Sequence, residues 1–459
     1  MKRHAAALLL GASLLIVGGA ALPVQAQLIP QPILDSESFA GDPQIYVDWM
    51  NVIYDRVAAD ALSAPSGARV YAYAGIAAYE ALVPFMPGNR SLSFQLNGLD
   101  DLPLPEFPEE GSLAENIALY DQYTVINATM FSVAAALFRD KTPESRQAFI
   151  ALRDAWIEAR LEAGISQEEI DLSITYGDLL GKALGDWMSE DNYIQIRQRD
   201  PYVLPSDRPS DYQLTPEASQ PAEPYWGELR SMILPYENVC WQAENYSFST
   251  EEDSDFYRQA REVFDVGNNL TPEQRAIATW WVDTPAQTGT PAGHWVQIEN
   301  QLVEELDLDL GRAAEMYAMV GMVLGDSFIS TWGQKYVVLL LRPETYINEN
   351  ISARWRPFIQ TPPFPEYPSG HSVVSGAAGD MLTALFGTNV HFVDQTHVPR
   401  GDAPREFFSF TQAANEAAIS RLYGGIHYRA AIENGLRSGS CIAITALNNV
   451  VLRPFSQGE

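Results

Sequence analysis

The sequence is short of cysteine, of positive charge and of long apolar runs. Its two cysteines, Cys240 and Cys441, lie in neither a CxxC pair nor a Cys/His cluster, so they give zinc and iron–sulfur chemistry no support. In an oxidising compartment they can form one disulfide, but spacing alone does not say whether they meet. Lys and Arg number 29 against 59 Asp and Glu, a formal charge of −30. Such a surface repels nucleic acid and anionic membranes, so neither is expected as a partner. Beyond residue 26 no stretch offers the roughly 20 uninterrupted apolar residues that a spanning helix needs. Strand signals are scarce, and no internal repeat of fixed period is present. The acidic run Glu251, Glu252, Asp253 and Asp255 lacks the glycine and final glutamate of a calcium loop, and reads as a solvated helix start.

One apolar run does exist, at the N-terminus. Lys2 and Arg3 precede an apolar stretch from Ala5 to Leu22, and Val24-Gln25-Ala26 supplies the small-residue pattern of a cleavage site before Gln27. Residues 1–26 are therefore expected to be a secretory signal, and the protein to be exported, periplasmic or secreted. An uncleaved anchor is the alternative; Gly11, Gly18 and Gly19 interrupt the stretch and count against it.

What remains reads as helix, and an all-α architecture of two helical bundles is expected. From Gln44 to about Met188 apolar residues return at intervals of three and four, as in Ile45, Trp49, Val52, Ile53 and Val57. Asp42 with Pro43 marks the first start. Further runs cover Ser66 to Val83, Asn116 to Phe138 and Glu144 to Ala163, and Ser166 to Glu169 reads as a capping box. Between residues 200 and 226 six prolines stand among Asp, Ser and Tyr, an irregular connection. It divides an N-terminal helical half, residues 27–199, from a C-terminal bundle, residues 227–459.

Three short segments of that second half carry chemistry. In KYVVLLLRP, Lys335 and Arg342 are seven apart, which on one continuous helix turns both cations the same way, with Pro343 ending the helix. Alone, they could equally be a snorkelling pair beside an apolar stripe. In PSGH, a hydroxyl (Ser369), an unobstructed amide (Gly370) and an imidazole (His371) sit where a helix begins and favours an anion. Alone, this could be an ordinary serine cap. In SRLYGGIH, Gly424 and Gly425 permit a break that can turn Arg421 and His427 toward one point.

Together the segments read K-x6-R-P, P-S-G-H and S-R-x5-H, in that order. This set, spread over about the last 125 residues, resembles the superfamily joining vanadium-dependent haloperoxidases to type 2 phosphatidic-acid phosphatases and class A acid phosphatases. A tetrahedral oxyanion suits it: Lys335, Arg342 and Arg421 supply charge-assisted donors, Ser369 and the Gly370 amide neutral ones, and His427 a nitrogen for the central atom. The resemblance implies that His427 attacks phosphorus in a phosphatase or ligates vanadium in a haloperoxidase. It also implies that His371 is the acid–base residue.

The absence of spanning segments, the length and the helical first half tilt the choice toward a haloperoxidase with vanadate as cofactor. Trp332 and Phe364 look like the aromatic positions lining the halide side of such pockets, although core packing would equally explain them. Asp283, in WWVD, looks like the aspartate that pairs with the motif arginine, here Arg421; a solvated helix-end acid is the competing view. His294 is left without a catalytic role, and His391, Asp394 and His397 are expected in a solvated loop. One departure stands out: most of the superfamily has an aspartate four residues after the last histidine, and here Ala431 stands there. That weakens the nucleophile reading more than the metal-ligand reading and leaves the partner of His427 open. The haloperoxidase reading implies that vanadate binds peroxide, Lys335 polarises it, and halide attack releases hypohalous acid, with small organic acceptors beyond. Iodide and bromide are favoured over chloride. A soluble phosphomonoester phosphatase and a non-catalytic oxyanion-binding protein remain the alternatives.

Overall fold

The computed structural model describes residues 39–106, 112–215, 219–243 and 247–453; the expected leader, residues 1–26, lies outside them. Helix α1 (Gln44–Ala59) buries Ile45, Trp49, Ile53 and Val57, the series that its spacing predicts. Its start is closed from one position further out than expected, with the Asp42 carboxylate accepting from the Gln44 amide at 2.9 Å. Helix α2 (Ala64–Leu82) is capped by Ser63 and buried on every side. The expected run 116–138 is two elements, α3 (Leu113–Ile117) and α4 (Gln122–Leu137), because the Asp121 side chain caps the Thr124 amide and starts a fresh helix there. Helix α5 (Pro143–Glu162) and helix α6 (Gln167–Ser189) follow, the latter opened by the Ser166/Glu169 capping box. A short α7 (Tyr193–Arg197) ends the first half.

Among its described residues the proline-rich connection holds no α-helix, yet it is anchored: Asp211 bridges to Leu340. The second half contains α8 (Asp255–Asn268), α9 (Pro272–Trp280), α10 (Thr290–Glu305), α11 (Leu310–Val338), α12 (Pro343–Asn350), α13 (Gly370–Phe386), α14 (Phe410–Tyr423) and α15 (Arg429–Asn449). One antiparallel pair, β1 (Phe392–Asp394) and β2 (Arg405–Phe407), sits between α13 and α14 in sequence, with Asp394 opposite Arg405. The acidic run before α8 is exposed, as expected of a solvated start.

The halves share one core. Trp49, Ile76 and Phe149 belong to the same buried cluster as Met316, Val320, Trp332 and Val374. Its axis is α2 against α11, and their backbones touch: a Cβ at Gly75 would lie 2.1 Å from the Tyr317 carbonyl oxygen, so only glycine fits. A second cluster, including Phe256, Tyr346, Trp355, Leu422 and Ile432, packs α8, α12, α14 and α15 together. No helix among the described residues is long and apolar enough to cross a membrane.

The expectation that Lys335 and Arg342 share a helix is wrong. Helix α11 stops at Val338, Leu339 adopts a left-handed conformation (φ 58°), and Arg342 is extended at the start of α12, which Pro343 opens rather than ends. Two physical causes combine. A residue before proline is pushed out of the α region, and the unwound Leu339–Leu341 backbone finds strand-like partners in the proline-rich connection: Tyr212 N donates to Leu339 O, and Leu341 N to Ser210 O.

The two cysteines are joined, Cys240 to Cys441, with Cα atoms 5.5 Å apart across 201 positions of sequence. The bond ties the segment after the proline-rich connection to α15. Closing so long a loop removes unfolded-state entropy, and losing such a native bond typically costs about 2–5 kcal/mol. Cys441→Ser should therefore lower the thermal midpoint of the oxidised protein by several degrees, and thiol titration of the denatured, unreduced wild type should find no free thiol.

Candidate active site

Helix α13 begins where PSGH predicts it. Ser369 is its extended cap, and Gly370 and His371 occupy the first turn, whose amides have no partner within the helix. Gly370 and His371 line a cavity of ≈ 500 Å³ together with Trp332, Phe364, Arg421 and His427. The Ser369 hydroxyl, just behind, accepts from the Ser372 hydroxyl at 2.8 Å, so its own proton is the one available to a guest. Prolines also line it: Pro65 and Pro291 from the first turns of α2 and α10, and Pro285 and Pro362 from loops.

The three cations converge here from different elements. Lys335, near the end of α11, is fully buried and donates to the carbonyls of Pro365, Glu366 and Pro368. All three ammonium protons are thereby engaged, so Lys335 acts through its charge and must release a carbonyl to reach a guest oxygen. Burial, and then the Arg342 charge, press its proton affinity well below the usual lysine range, while three acceptors hold the ammonium form. Arg342 donates through Nε to Phe364 O and through Nη1 to Ile426 O; its Nη2 is buried with no hydrogen-bond partner among the described residues. Arg421 donates from Nη2 to Trp281 O at 2.8 Å, and its Nη1 lies 3.4 Å from His371 Nε2. Burial brings both arginines down to about 10, which leaves them charged at neutral pH.

His427 reaches the same place because α14 stops at Tyr423 and Gly425 takes a left-handed turn (φ 80°) that only glycine adopts without strain. Its Nδ1 lies 2.8 Å from a carboxylate oxygen of Glu366, which also accepts from the Tyr428 amide at 2.9 Å. Nδ1 therefore carries the proton, and Nε2 presents a lone pair 3.1 Å from Arg342 Nη1. Burial, followed by the charges of Arg342, Lys335 and Arg421, pushes the His427 pKa well below the ordinary histidine value. The imidazole is neutral at neutral pH, the state in which it can ligate a metal centre.

Glu366 is the residue that sequence reasoning missed, and it fills the role left open by Ala431. The signal was a lone acid in an apolar, proline-rich stretch five residues before His371. Ala431 has another task, since its carbonyl accepts from the Ser369 amide at 3.1 Å and fixes the start of α13.

Asp283 is buried beside the pocket, but the expected ion pair with Arg421 does not form among the described residues. Asp283 lies 3.0 Å from His294 Nδ1 and 3.1 Å from His397 Nε2, while Arg421 is taken up by the Trp281 carbonyl. Burial alone would raise the Asp283 pKa; the charges and hydrogen bonds of His294 and His397 overcome it and hold the group well below the carboxylate range. The expectation of a solvated loop fails for Asp394 and His397, both buried, and holds for exposed His391, which pairs with Glu406. The β1–β2 pair is what folds that stretch inward. His371 Nε2 stands 4.0 Å from Asp283, and burial, then the Arg421 charge, lowers its pKa well below the ordinary value. Trp332 and Phe364 meet with ring centroids 4.9 Å apart on the cavity wall.

A profile described as the VCPO second helical-bundle domain matches residues 315–453, the stretch that holds all three motifs. No curated protein matches the chain in sequence. Among solved structures, the first bacterial vanadium-dependent iodoperoxidase is similar over 92% of this chain and 100% of its own, with 33% identity and a TM-score of 0.83. The chain belongs to the vanadium-dependent haloperoxidase family. A holo-type bacterial vanadium-dependent chloroperoxidase shares the fold at 15% identity and TM-score 0.62, covering 90% of this chain and 98% of its own. The apo-type chloroperoxidase aligns likewise, at 15% identity and TM-score 0.59 over 86% and 93% of the two chains. For a vanadate-dependent haloperoxidase the partner of the ligating imidazole sets both its tautomer and its basicity. Glu366→Gln should accordingly weaken vanadate binding by about 10-fold or more, read by titrating the vanadate-free protein; unchanged affinity would show that Glu366 does not orient His427.

Proposed function

We propose that this haloperoxidase binds vanadate among Lys335, Arg342, Ser369, Gly370, Arg421 and His427, and that iodide, then bromide, is the halide it oxidises there. The carrying observation is the charge of the pocket. Arg421 lines it, Lys335 and Arg342 are buried just behind, and one guanidinium nitrogen, Arg342 Nη2, is buried without a hydrogen-bond acceptor among the described residues. Leaving a charged donor unpaired in the interior is costly, and a multiply charged oxyanion removes that cost. The donor set fits vanadate: guanidinium groups for the oxygens, a hydroxyl and an amide at a helix start, and one neutral imidazole nitrogen for the metal.

Halide oxidation by peroxide balances as H2O2 + X− + H+ → HOX + H2O; the halide loses two electrons and the O–O bond breaks. Vanadate, when bound, supplies the Lewis-acidic centre that makes peroxide electrophilic toward halide. The protein's own groups do the rest. His427 Nε2 would hold the centre, and Arg342 and Arg421 would balance its negative charge. Lys335, from behind its three carbonyls, would add a positive field to the pocket. His371 Nε2 faces a guanidinium donor, so its neutral form carries a lone pair there; it can take a proton from peroxide and return it to the oxygen that leaves as water. Trp332, Phe364 and the proline wall exclude bulk water and offer polarisable surface to a large halide. That surface, and the iodoperoxidase named above, support iodide. A cavity of ≈ 500 Å³ is also large enough to admit a small organic acceptor. Export with removal of residues 1–26 is part of the proposal, supported by the disulfide, since such bonds persist in oxidising compartments.

Because Glu366 restores a carboxylate behind His427, Ala431 no longer separates oxidation from phosphoryl transfer, nor does it favour an inert binding protein. The purified protein, chelated and then given vanadate, should regain iodide oxidation with peroxide, bromide oxidation to a lesser degree, and release little phosphate from a phosphomonoester. His427→Ala should abolish the halide activity and vanadate binding together. Full turnover in that variant would remove His427 from the mechanism.

A further inference from the structure

Beside the oxyanion pocket lies a second set of buried titratable groups that the reaction as described leaves unused. Asp283, His294, Asp394 and His397 come from the turn after α9, from α10, from the end of β1 and from the turn beyond it, and each is more than nine-tenths buried. His294 lies between two carboxylates, with Nδ1 3.0 Å from Asp283 and Nε2 2.8 Å from Asp394. A neutral imidazole has one N–H and cannot donate to both, so this geometry requires the imidazolium. Trp281 stacks on the ring, centroids 4.4 Å apart and planes 21° apart, a contact that favours a cation. Although burial lowers its proton affinity, Asp283 and then Asp394 raise the His294 pKa to about 10. Asp394 is itself fixed by the Trp280 indole and the Thr396 amide, each at 2.9 Å. The second oxygen of Asp283 meets His397 Nε2 at 3.1 Å.

We propose that His294, Asp394 and His397 are positioning residues that hold Asp283 as a fixed, partly neutralised negative charge beside His371, setting how readily His371 takes and returns a proton. The inference rests on the assignment of His371 as the proton carrier. The charged and titratable groups facing His371 are Arg421 from α14, His427 from the turn behind it, Asp283 from the turn after α9 and His294 from α10. Arg421 and His294 oppose its protonation; Asp283 alone of the four favours it. In the step, His371 Nε2 gains the proton that hydrogen peroxide loses and gives it back to the departing oxygen. Asp283 and His294 keep their protonation states throughout, and the one further proton that the overall reaction consumes comes from solvent.

The hydrogen-bonded network and a bound metal ion make different demands on His294. Ligand atoms of Asp283, His294 and His397 lie within 4.8 Å of one another, a spacing that a divalent cation could also use. Such a cation would need the proton gone from His294 Nδ1, whereas the network needs it present.

The wild-type protein decides between them. With 15N-labelled histidine, NMR should show one doubly protonated imidazole persisting above pH 8, and Asp394→Asn should abolish it. In that variant His294 loses its charge, Asp283 is less neutralised, and the acid limb of the halide-oxidation pH profile should move up by about one unit. Asp283→Asn should move the same limb down by about as much. A purely structural role would lower turnover or the thermal midpoint and leave the limb in place. Vanadate binding, titrated in parallel, should be unchanged in Asp394→Asn, which separates failure of this idea from failure of the cofactor site. The proposal is overturned by a singly protonated His294 in the wild-type spectrum, by an unmoved limb in folded Asp394→Asn, or by a stoichiometric divalent cation in the untreated protein. Should Asp283→Asn not fold, the wild-type spectrum and Asp394→Asn still decide.

Discussion

The structure turns on keeping three positive charges together away from water. An ammonium or guanidinium moved into a protein interior loses several kcal/mol of solvation unless acceptors replace the water. Helix interiors cannot supply those acceptors, because their carbonyls are spent within the helix. The carbonyls that serve Lys335 and Arg342 belong to Phe364, Pro365, Glu366, Pro368 and Ile426, and the one that serves Arg421 belongs to Trp281, just past the end of α9. The proline content of residues 362–368 follows from the same need. Proline resists helix and brings no N–H of its own, so this segment offers carbonyl oxygens in excess of donors. Burying such a stretch would be unfavourable anywhere else, and the cations make it favourable here.

The helical scaffold explains how an N-terminal half without a motif residue still bears on the chemistry. Helix α11 delivers Trp332 and Lys335 from its last two turns, and it is enclosed along most of its length. Part of that enclosure is α2, seated so closely that Gly75 meets the Tyr317 backbone. A long helix held along one side can place a terminal side chain with little play, which a hydrogen-bond network of this density requires. The first half thus contributes rigidity and volume, and its Ser63, Ala64 and Pro65 line the cavity itself.

Residue type and order made Lys335, Arg342, Ser369, Gly370, His371, Arg421 and His427 legible, because each motif carries its meaning within a few positions. The helices were legible too, since burial imposes a period. What failed was pairing between distant segments. The apolar run from Val337 to Leu341 has no internal sign that its backbone would leave the helix for partners near Tyr212. Asp283 was matched to Arg421 by resemblance, whereas two histidines and a carbonyl from elsewhere divide those partners. Asp394 and His397 read as polar loop residues because a strand of three residues leaves almost no pattern, yet that strand carries them inward. Glu366 was hidden for a similar reason: its neighbour His427 is 61 positions away.

The last constraint concerns the lone pair of His427, for which a proton and any metal centre placed there would compete. Each unit by which the pKa falls is worth about 1.4 kcal/mol against the proton, and the cations around the ring are the chief means after burial itself. Those same charges would repel a simple metal cation just as they repel the proton. They attract a metal only when its oxygens bring more negative charge than the centre brings positive. On the opposite nitrogen, Glu366 draws the proton to Nδ1 and returns electron density to the ring, so the base stays a good ligand although it has become a poor proton acceptor. An arrangement of charges such as that of Arg342, Arg421 and Lys335 would therefore select an oxyanion of a metal over a bare ion, with no ligand beyond one imidazole required.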